Sequence, residues 1–241
     1  MHEKKVAIVI PAYNTELTLE KTLKAIPQGS ANDIIVVDDG SVDKTFEIAT
    51  ENNVHVVRHE KNKGYGAAQK TGYREALNRG ADIVVMVHSD FQYDPTLIPE
   101  MVRPIVEQGA DVCFGSRMHN KGSARAGGMV WWRFIANKGL TIVEDSILGL
   151  GLTEYHTGYR AYNRKMLTSI QFEKNSDNYV FDTQIFAQIR LGGFNVAEIP
   201  IPTRYFEDSQ SPNFRKSVEY GLMTLSVLFK ENTISLTFLV T

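Results

Sequence analysis

The chain has 241 residues, of which 43% are hydrophobic, and its 26 Lys and Arg against 28 Asp and Glu give a formal net charge of −2. This composition excludes disorder, collagen and coiled coil, and the length allows a sizeable core without disulfides or a structural metal. The single cysteine, Cys113, excludes an internal disulfide and a cysteine-based zinc site, and it favours a reducing compartment. The near-neutral charge argues against nucleic acid as the main partner.

The apolar runs predict neither a secretory leader nor a membrane span. Only five apolar residues, 6–10, precede the first proline, and this is too short for a signal-peptide core. The apolar run nearest the C-terminus, 234–240, is too short to cross a bilayer. We therefore expect a cytoplasmic protein.

Short apolar runs alternate with helical patterns through the first half, which is typical of βαβ units and a parallel sheet. The predicted strands cover residues 6–10, 34–37, 54–57, 83–87 and 112–114, and helices are predicted near 19–26, 44–51 and 67–79. Proline residues divide 95–108 into two short pieces or kink it. Beyond a Gly-, Ser- and Arg-rich loop at 115–128, the patterns predict helices over 130–148, 179–190 and 215–230 and a strand at 196–199.

Polar residues directly follow three of the predicted strands: Pro11, Ala12, Tyr13 and Asn14; then Asp38, Asp39, Gly40 and Ser41; then His88, Ser89 and Asp90. Ligands bind at the carboxyl ends of parallel strands, so these residues predict one site. Paired carboxylates can accept hydrogen bonds from a ribose or a base, and a tyrosine ring can stack on a base. The alternative for Asp38 and Ser41 is that they cap the next helix.

Residues 64–69 contain the start of a dinucleotide fingerprint, Gly64-x-Gly66, but its third position is Gln69 and it follows the third strand. An oxidoreductase is therefore a poor interpretation. The small residues instead predict a close approach of helix 67–79 to the sheet. The alternative to a binding role for Lys70 is a solvated helix face.

With these motifs the chain resembles the family 2 glycosyltransferases of the GT-A fold, and among them the dolichyl-phosphate and polyprenyl-phosphate sugar synthases. Eight stretches match in the family's order: VIPAYN at 9–14, DDGS at 38–41, NKGYGAAQKTG at 62–72, SDFQYDP at 89–95, GSR at 115–117, WWRFIANKGL at 131–140, HTGYRAYNR at 156–164 and EIPIPTRY at 198–205. The resemblance implies an α/β fold, a single GT-A (Rossmann-like) domain over residues 1–241 with a mostly parallel sheet between helices. Residues 1–114 would form the nucleotide-binding half, and residues 115–241 the acceptor-side half with C-terminal helices.

The resemblance also implies roles for individual residues. Those expected to hold the nucleotide sugar are Pro11, Ala12, Tyr13, Asn14, Asp38, Asp39, Lys70 and Ser89. Asp90 and Gln92 are expected to hold a divalent metal, Mg²⁺ or Mn²⁺, on the diphosphate. His88 stands where the family usually has Asp, so it either joins the metal ligands and changes the metal preference or has a hydrogen-bonded structural role.

Arginine is the side chain suited to phosphate. The resemblance places Arg117 and Arg133 near the acceptor phosphate or the donor, as catalytic residues with Asp90. For Arg160 and Arg204 we expect surface ion pairs.

The role of Asp182 depends on the acceptor. A hydroxyl acceptor requires a general base, for which Asp182 is the candidate, whereas a lipid phosphate is already ionised at pH 7. The alternative for Asp182 is a carboxylate that interacts with a helix dipole. In either case the resemblance implies an inverting single displacement.

The sequence thus predicts a glycosyltransferase that moves a hexose from a UDP- or GDP-sugar to a polyprenyl phosphate. The alternatives are transfer to a sugar hydroxyl and a non-catalytic nucleotide-sugar-binding protein, the latter because of His88. Trp131, Trp132 and Phe134 suggest peripheral contact with a membrane surface, whereas the apolar positions of 214–229 also fit core packing. Many relatives continue into transmembrane helices, so a separate membrane protein is a further candidate partner.

Overall fold

The structure, a computed structural model, describes residues 4–119, 129–202, 221–224 and 226. Within these residues seven strands form one sheet: β1 (Val6–Ala12), β2 (Asp33–Asp38), β3 (His55–Arg58), β4 (Ile83–Met86), β5 (Val112–Ser116), β6 (Arg160–Asn163) and β7 (Val196–Pro200). The same residues contain the helices α1 (Leu19–Ala25), α2 (Thr45–Glu51), α3 (Tyr65–Asn78), α4 (Ile98–Glu107), α5 (Trp131–Leu148), α6 (Arg164–Ser169) and α7 (Phe181–Gly192). Short 3-10 turns cover Pro95–Leu97 and Phe172–Lys174.

The strand order is β3-β2-β1-β4-β6-β5-β7. β1 lies between β2 and β4, parallel to both, with Ile8 opposite Ile34 and Val85 opposite Ile8 on the other side. Its apolar run is buried on both faces, as a strand between two helical layers requires. The predicted strands and parallel pairing of the first half are confirmed.

β6 is a strand that the sequence patterns did not predict. It runs antiparallel between β4 and β5, with Met86 opposite Arg160 and Phe114 opposite Arg160 on the other side. Its four residues, RAYN, contain no apolar run, because a buried arginine and an asparagine begin and end it. The sheet is therefore mostly parallel with one reversed strand.

Helices cover both faces of the sheet. One apolar layer includes buried residues of α3, α6 and α7, and the other includes residues of α1, α2 and α4. α3 lies very close to the sheet, since a Cβ on Gly72 would overlap the side chain of Val9 and lie 3.3 Å from Val37. The predicted close approach of this helix is confirmed.

The α/β fold class is confirmed by this sheet and its two helical layers. Residues 95–107 form the predicted two pieces, a 3-10 turn followed by α4. The division at residue 114 stays a prediction. The predicted helix 215–230 lies mostly outside the described residues. Its residues 221–224 are described, and they are helical. No helix in the described part of the chain is long and apolar enough to cross a membrane.

Candidate active site

The carboxyl ends of β1 and β2 and the segment after β4 meet at one edge of the sheet, as predicted. The hydroxyl of Ser89 donates to the Pro11 carbonyl at 2.9 Å, and the backbone N–H of Asp39 donates to the Ala12 carbonyl at 2.8 Å. The N–H of Asn14 donates to Ser41 Oγ at 3.0 Å. These bonds fix the three polar segments relative to one another.

The two adjacent carboxylates at the end of β2, those of Asp38 and Asp39, are buried and bound by the protein itself. Asp38 Oδ2 lies 3.0 Å from Arg58 Nε, and its Oδ1 accepts the Ser41 N–H at 3.0 Å. Asp38 therefore fixes the turn that follows it. It does not cap the next helix, which was the alternative interpretation, because α2 begins only at Thr45.

Asp39 holds the chain that leads into α3. Its carboxylate accepts the N–H groups of Lys63 and Gly64, each at 2.9 Å, and lies 2.6 Å from His59 Nδ1. His59 Nε2 is in turn 3.0 Å from Thr71 Oγ1. The carboxylate pair thus shapes the walls of the site, and direct contact with a nucleotide stays a prediction.

Tyr13 is the exposed aromatic group at this edge. Its side chain is 41% exposed and follows the buried Ala12, so a ring face is open to a planar ligand. Asn14 has a positive φ of 51° and its Oδ1 accepts the Val42 N–H at 3.0 Å. The turn between β1 and the next loop is therefore fixed while the Tyr13 ring faces solvent.

Asp90 and Gln92 occupy a tight turn after β4. Asp90 Oδ1 accepts the Gln92 N–H at 3.0 Å, and Phe91 between them has a φ of 59°, which L-residues seldom adopt. Such conformations persist where the surrounding structure enforces them, and they concentrate at functional sites. Both residues are half-buried.

His88 lies beside this turn in an aromatic environment. Its Nε2 is 3.0 Å from Tyr65 Oη, and its ring makes edge contacts with Tyr65 and Tyr93. Burial lowers the pKa of His88, and this effect outweighs that of Asp90, which acts in the opposite direction. The imidazole is therefore neutral near pH 7.

Asp182 lies in the first turn of α7 at the centre of a buried polar network. Its Oδ1 accepts from Gln69 Nε2 at 3.1 Å and lies 2.9 Å from an Arg160 Nη, and its Oδ2 accepts from Tyr65 Oη at 3.3 Å. Burial alone would lower the pKa of Arg160, but Asp182 and neighbouring tyrosines raise it well above its ordinary value. The expected surface position of Arg160 is wrong: the guanidinium is 1% exposed and lies over the Phe186 ring.

Arg117, at the end of β5, forms a buried ion pair with Glu154. Its backbone N–H donates to Glu154 Oε2 at 2.8 Å and its Nε to Oε1 at 2.7 Å, while an Nη donates to the His156 carbonyl at 2.9 Å. Burial would raise the pKa of Glu154, but Arg117 and Asn137 hold it below its usual value. Arg133 lies in α5, but its side chain, like all of Arg204, is outside the described residues.

Lys70 does not lie on a solvated helix face. Its Nζ donates to the Asn175 carbonyl at 2.8 Å and pairs with Asp177 at 2.6 Å, and its side chain is only 11% exposed. The lysine therefore ties α3 to the segment before α7. A contact with the nucleotide sugar stays a prediction.

The chain matches the family model described as Glycosyl transferase family 2 over residues 7–170. The chain belongs to this family. The glycosyltransferase is 31% identical to the polyprenol monophosphomannose synthase of Mycolicibacterium smegmatis, over 82% of this chain and 77% of the relative. It is 28% identical to the UDP-N-acetylglucosamine–dolichyl-phosphate N-acetylglucosaminyltransferase of Methanococcus voltae, over 88% of this chain and 90% of the relative. The predicted family and enzyme class are confirmed.

Solved structures confirm the fold. The glycosyltransferase superposes with a TM-score of 0.71 on glucosyl-3-phosphoglycerate synthase from Mycobacterium tuberculosis, crystallised with Mn²⁺, UDP and glucosyl-3-phosphoglycerate. The two sequences are 22% identical, and the match covers 95% of this chain and 80% of the other.

Sequence reasoning missed four residues of this site: Tyr65, Gln69, Glu154 and, as a buried group, Arg160. They follow no strand with a polar end and form no short motif with their partners. Tyr65 and Asp182, for example, are 117 residues apart. Tyr65 and Gln69 meet Asp182 because α3 and α7 lie on one face of the sheet. Arg160 instead lies on β6, and Glu154 pairs with Arg117 after β5.

Proposed function

We propose that the glycosyltransferase moves a hexose from a nucleoside-diphosphate sugar to a polyprenyl phosphate, with inversion at the anomeric carbon. The names of both relatives above describe sugar transfer to a polyprenyl or dolichyl phosphate. The observation that carries the choice of acceptor is the environment of Asp182, the candidate base for a hydroxyl acceptor.

Asp182 is poorly suited to remove a proton from a hydroxyl. Both carboxylate oxygens have partners within the protein, and Arg160 compensates the negative charge at 2.9 Å. A general base must lie within hydrogen-bond reach of the proton it removes, and the Asp182 side chain, 11% exposed, gives an acceptor hydroxyl little access. A phosphate acceptor avoids this requirement, because it carries its negative charge at pH 7.

The reaction then needs no proton transfer. An anionic oxygen of the lipid phosphate attacks the anomeric carbon and forms the new C–O bond. The bond between that carbon and the donor's phosphate oxygen breaks, and the nucleoside diphosphate leaves with the electron pair. The protein's part is to hold the two phosphates and the sugar in line and to exclude water.

The residues present fit a divalent metal on the diphosphate. Asp90 and Gln92 offer a carboxylate and an amide oxygen. The described residues include no group of three His, Cys, Asp or Glu side chains that could hold a metal by themselves. Mg²⁺ is commonly bound in this way, by one or two carboxylates together with substrate phosphates and water. When bound, such a metal would stabilise the charge of the leaving diphosphate.

A peripheral position on the cytoplasmic face of a membrane is part of the proposal. α5 exposes Trp131, Ile135 and Ile142, which are 60–66% exposed and spaced along one helical face. The same helix adjoins the site, because Asn137 donates to Glu154, the partner of Arg117, at 2.9 Å. This arrangement suits a lipid acceptor whose phosphate must reach the site while its chain stays in the bilayer.

Two acceptors that differ only in the phosphate test the proposed reaction. We expect transfer from a UDP- or GDP-hexose to a polyprenyl phosphate, none to the corresponding polyprenol, and an inverted anomeric configuration in the product by NMR. Asp90→Ala serves as the inactive control. Transfer to polyprenol or to a sugar hydroxyl at a comparable rate would contradict the proposal.

The donor is identified by thermal shift with UDP, GDP, CDP and their sugars, in Mg²⁺, Mn²⁺ or chelator. A ligand at about 100 times its Kd adds roughly 2.7 kcal/mol, which raises the Tm of a chain of this length by about 5–10 °C. We expect one nucleotide to do so only with metal, and Asp90→Ala to lose the effect. If none of the nucleotides or nucleotide sugars raises the Tm, nucleotide-sugar binding is refuted.

A further inference from the structure

The loop before β6 is attached to the acidic turn through His88. A Cβ on Gly158 would overlap the imidazole of His88, so the ring lies directly against the backbone of this loop. The N–H of Gly158 also donates to Tyr93 Oη at 3.0 Å, and Tyr93 contacts the His88 ring at 5.1 Å between centroids.

The imidazole is also fixed by α3, at its Nε2 atom. Tyr65 Oη lies 3.0 Å from Nε2 of His88 and also donates to Asp182. Tyr65 is itself held by a stacking contact with Tyr179, at 5.2 Å between centroids. The imidazole therefore has one nitrogen engaged and is packed among Tyr65, Tyr93 and the backbone of Gly158.

We propose that His88 is a positioning residue that joins the Asp90 turn to the loop 156–159, and that it does not bind the metal. The metal would then take its protein ligands from Asp90 and Gln92. This inference rests on the proposed function only in its reference to the metal. The positioning itself follows from packing that is present without any ligand.

A double-mutant cycle between His88→Ala and Gly158→Ala tests the positioning. In the wild-type background Gly158→Ala should lower the Tm by about 3–10 °C, as overpacking does in a chain of this length. It should also weaken the binding of Mn²⁺ with UDP or GDP about 5- to 20-fold, because the displaced ring moves the Asp90 turn. In the His88→Ala background both effects of Gly158→Ala should fall below a third of these values.

Gly139→Ala is the matched control, because a Cβ at this helical position meets nothing within 4 Å. It should leave nucleotide binding unchanged and should not lower the Tm. If Gly158→Ala lowers the Tm equally with and without the His88 ring, the positioning role is refuted. It is also refuted if the wild type binds Mn²⁺ with a nucleotide and Gly158→Ala leaves that affinity unchanged.

Electron spin-echo spectroscopy of the wild-type protein with Mn²⁺ and the bound nucleotide tests ligation directly. We expect no coupling from an imidazole nitrogen. A directly coordinated ¹⁴N signal that His88→Ala removes would overturn the proposal. Failure of the wild type to bind Mn²⁺ with any nucleotide would refute the proposed function and the assignment of the metal to Asp90, whereas the thermal part of the cycle would still decide the positioning.

Discussion

At the scale of single residues, Arg117 and Glu154 form a buried ion pair with several hydrogen bonds to one carboxylate. Glu154 is fully buried and accepts four hydrogen bonds, from the Arg117 backbone, its guanidinium and Asn137. Because the guanidinium is committed to this carboxylate, its most direct role is to fix the His156 carbonyl and the start of the loop before β6. A phosphate would meet Arg117 only as an additional partner.

The lowered pKa of Glu154 predicts that the folded protein loses stability at acid pH. The pKa of this carboxyl is lowered in the folded state, so its stabilisation is fully present above its ordinary value of 4.5 and is lost as the pH falls through the folded-state pKa. Glu154→Gln should cost about 3–5 kcal/mol at pH 7, since it leaves a buried guanidinium unpaired. The measurement is urea unfolding between pH 3 and pH 7.

The variant's loss relative to wild type should shrink at acid pH. Glu20→Gln, which removes an exposed pair with Lys24, is the control and should change stability by less than about 1 kcal/mol at every pH. A Glu154→Gln protein as stable as wild type at pH 7 would contradict the assignment.

Lys70 gives a test that separates structure from ligand binding. Lys70→Met removes the bonds to Asn175 and Asp177, and we expect a loss of about 1–3 kcal/mol because the Asn175 carbonyl loses its partner. The nucleotide Kd should stay within about threefold of wild type. Unchanged stability with a large loss of nucleotide affinity would instead support the direct contact predicted from sequence.

At the scale of elements, α5 carries a solvent-facing apolar surface and also contacts Glu154, the partner of Arg117. Replacing Trp131 and Ile135 by Ser should lower binding to vesicles that contain polyprenyl phosphate at least tenfold, because both side chains would lose a buried position in the interface. Turnover with a short, water-soluble polyprenyl phosphate should be unchanged. Vesicle flotation measures the binding, and a transfer assay with the short acceptor measures the turnover.

The control for this variant is Val106→Ser, which removes an exposed apolar side chain from α4. It should leave vesicle binding intact. Equal losses from both variants would show that the effect is not specific to α5.

Elements also show how far sequence reasoning reaches. The strand ends of β1 and β2 and the turn after β4 were predicted to meet because parallel strands bring their carboxyl ends to one edge. The network of Tyr65, Asp182 and Arg160 was not predicted, because it depends on how α3 and α7 pack and on β6, which has no apolar run. Local patterns therefore located the polar segments at the strand ends, whereas the buried network depends on tertiary packing.

At the scale of the whole molecule, the two halves share one sheet. β6, a strand from the second half, lies between β4 and β5. The strands of the first half are therefore not contiguous in the sheet. We expect calorimetric unfolding in one transition, with equal calorimetric and van't Hoff enthalpies. Two resolved transitions would show that residues 1–114 and 115–241 unfold independently.

The reversed strand also has a consequence for synthesis on the ribosome. β4 pairs with β6 across 74–80 residues of sequence, and β5 also pairs with β6 only once β6 has been made. Until residue 163 has emerged, β4 presents an unpaired strand edge to other nascent chains, which is a hazard for intermolecular pairing. The last strand to enter the middle of the sheet is also the one that carries Arg160, so the sheet cannot be completed before the partner of Asp182 is in place.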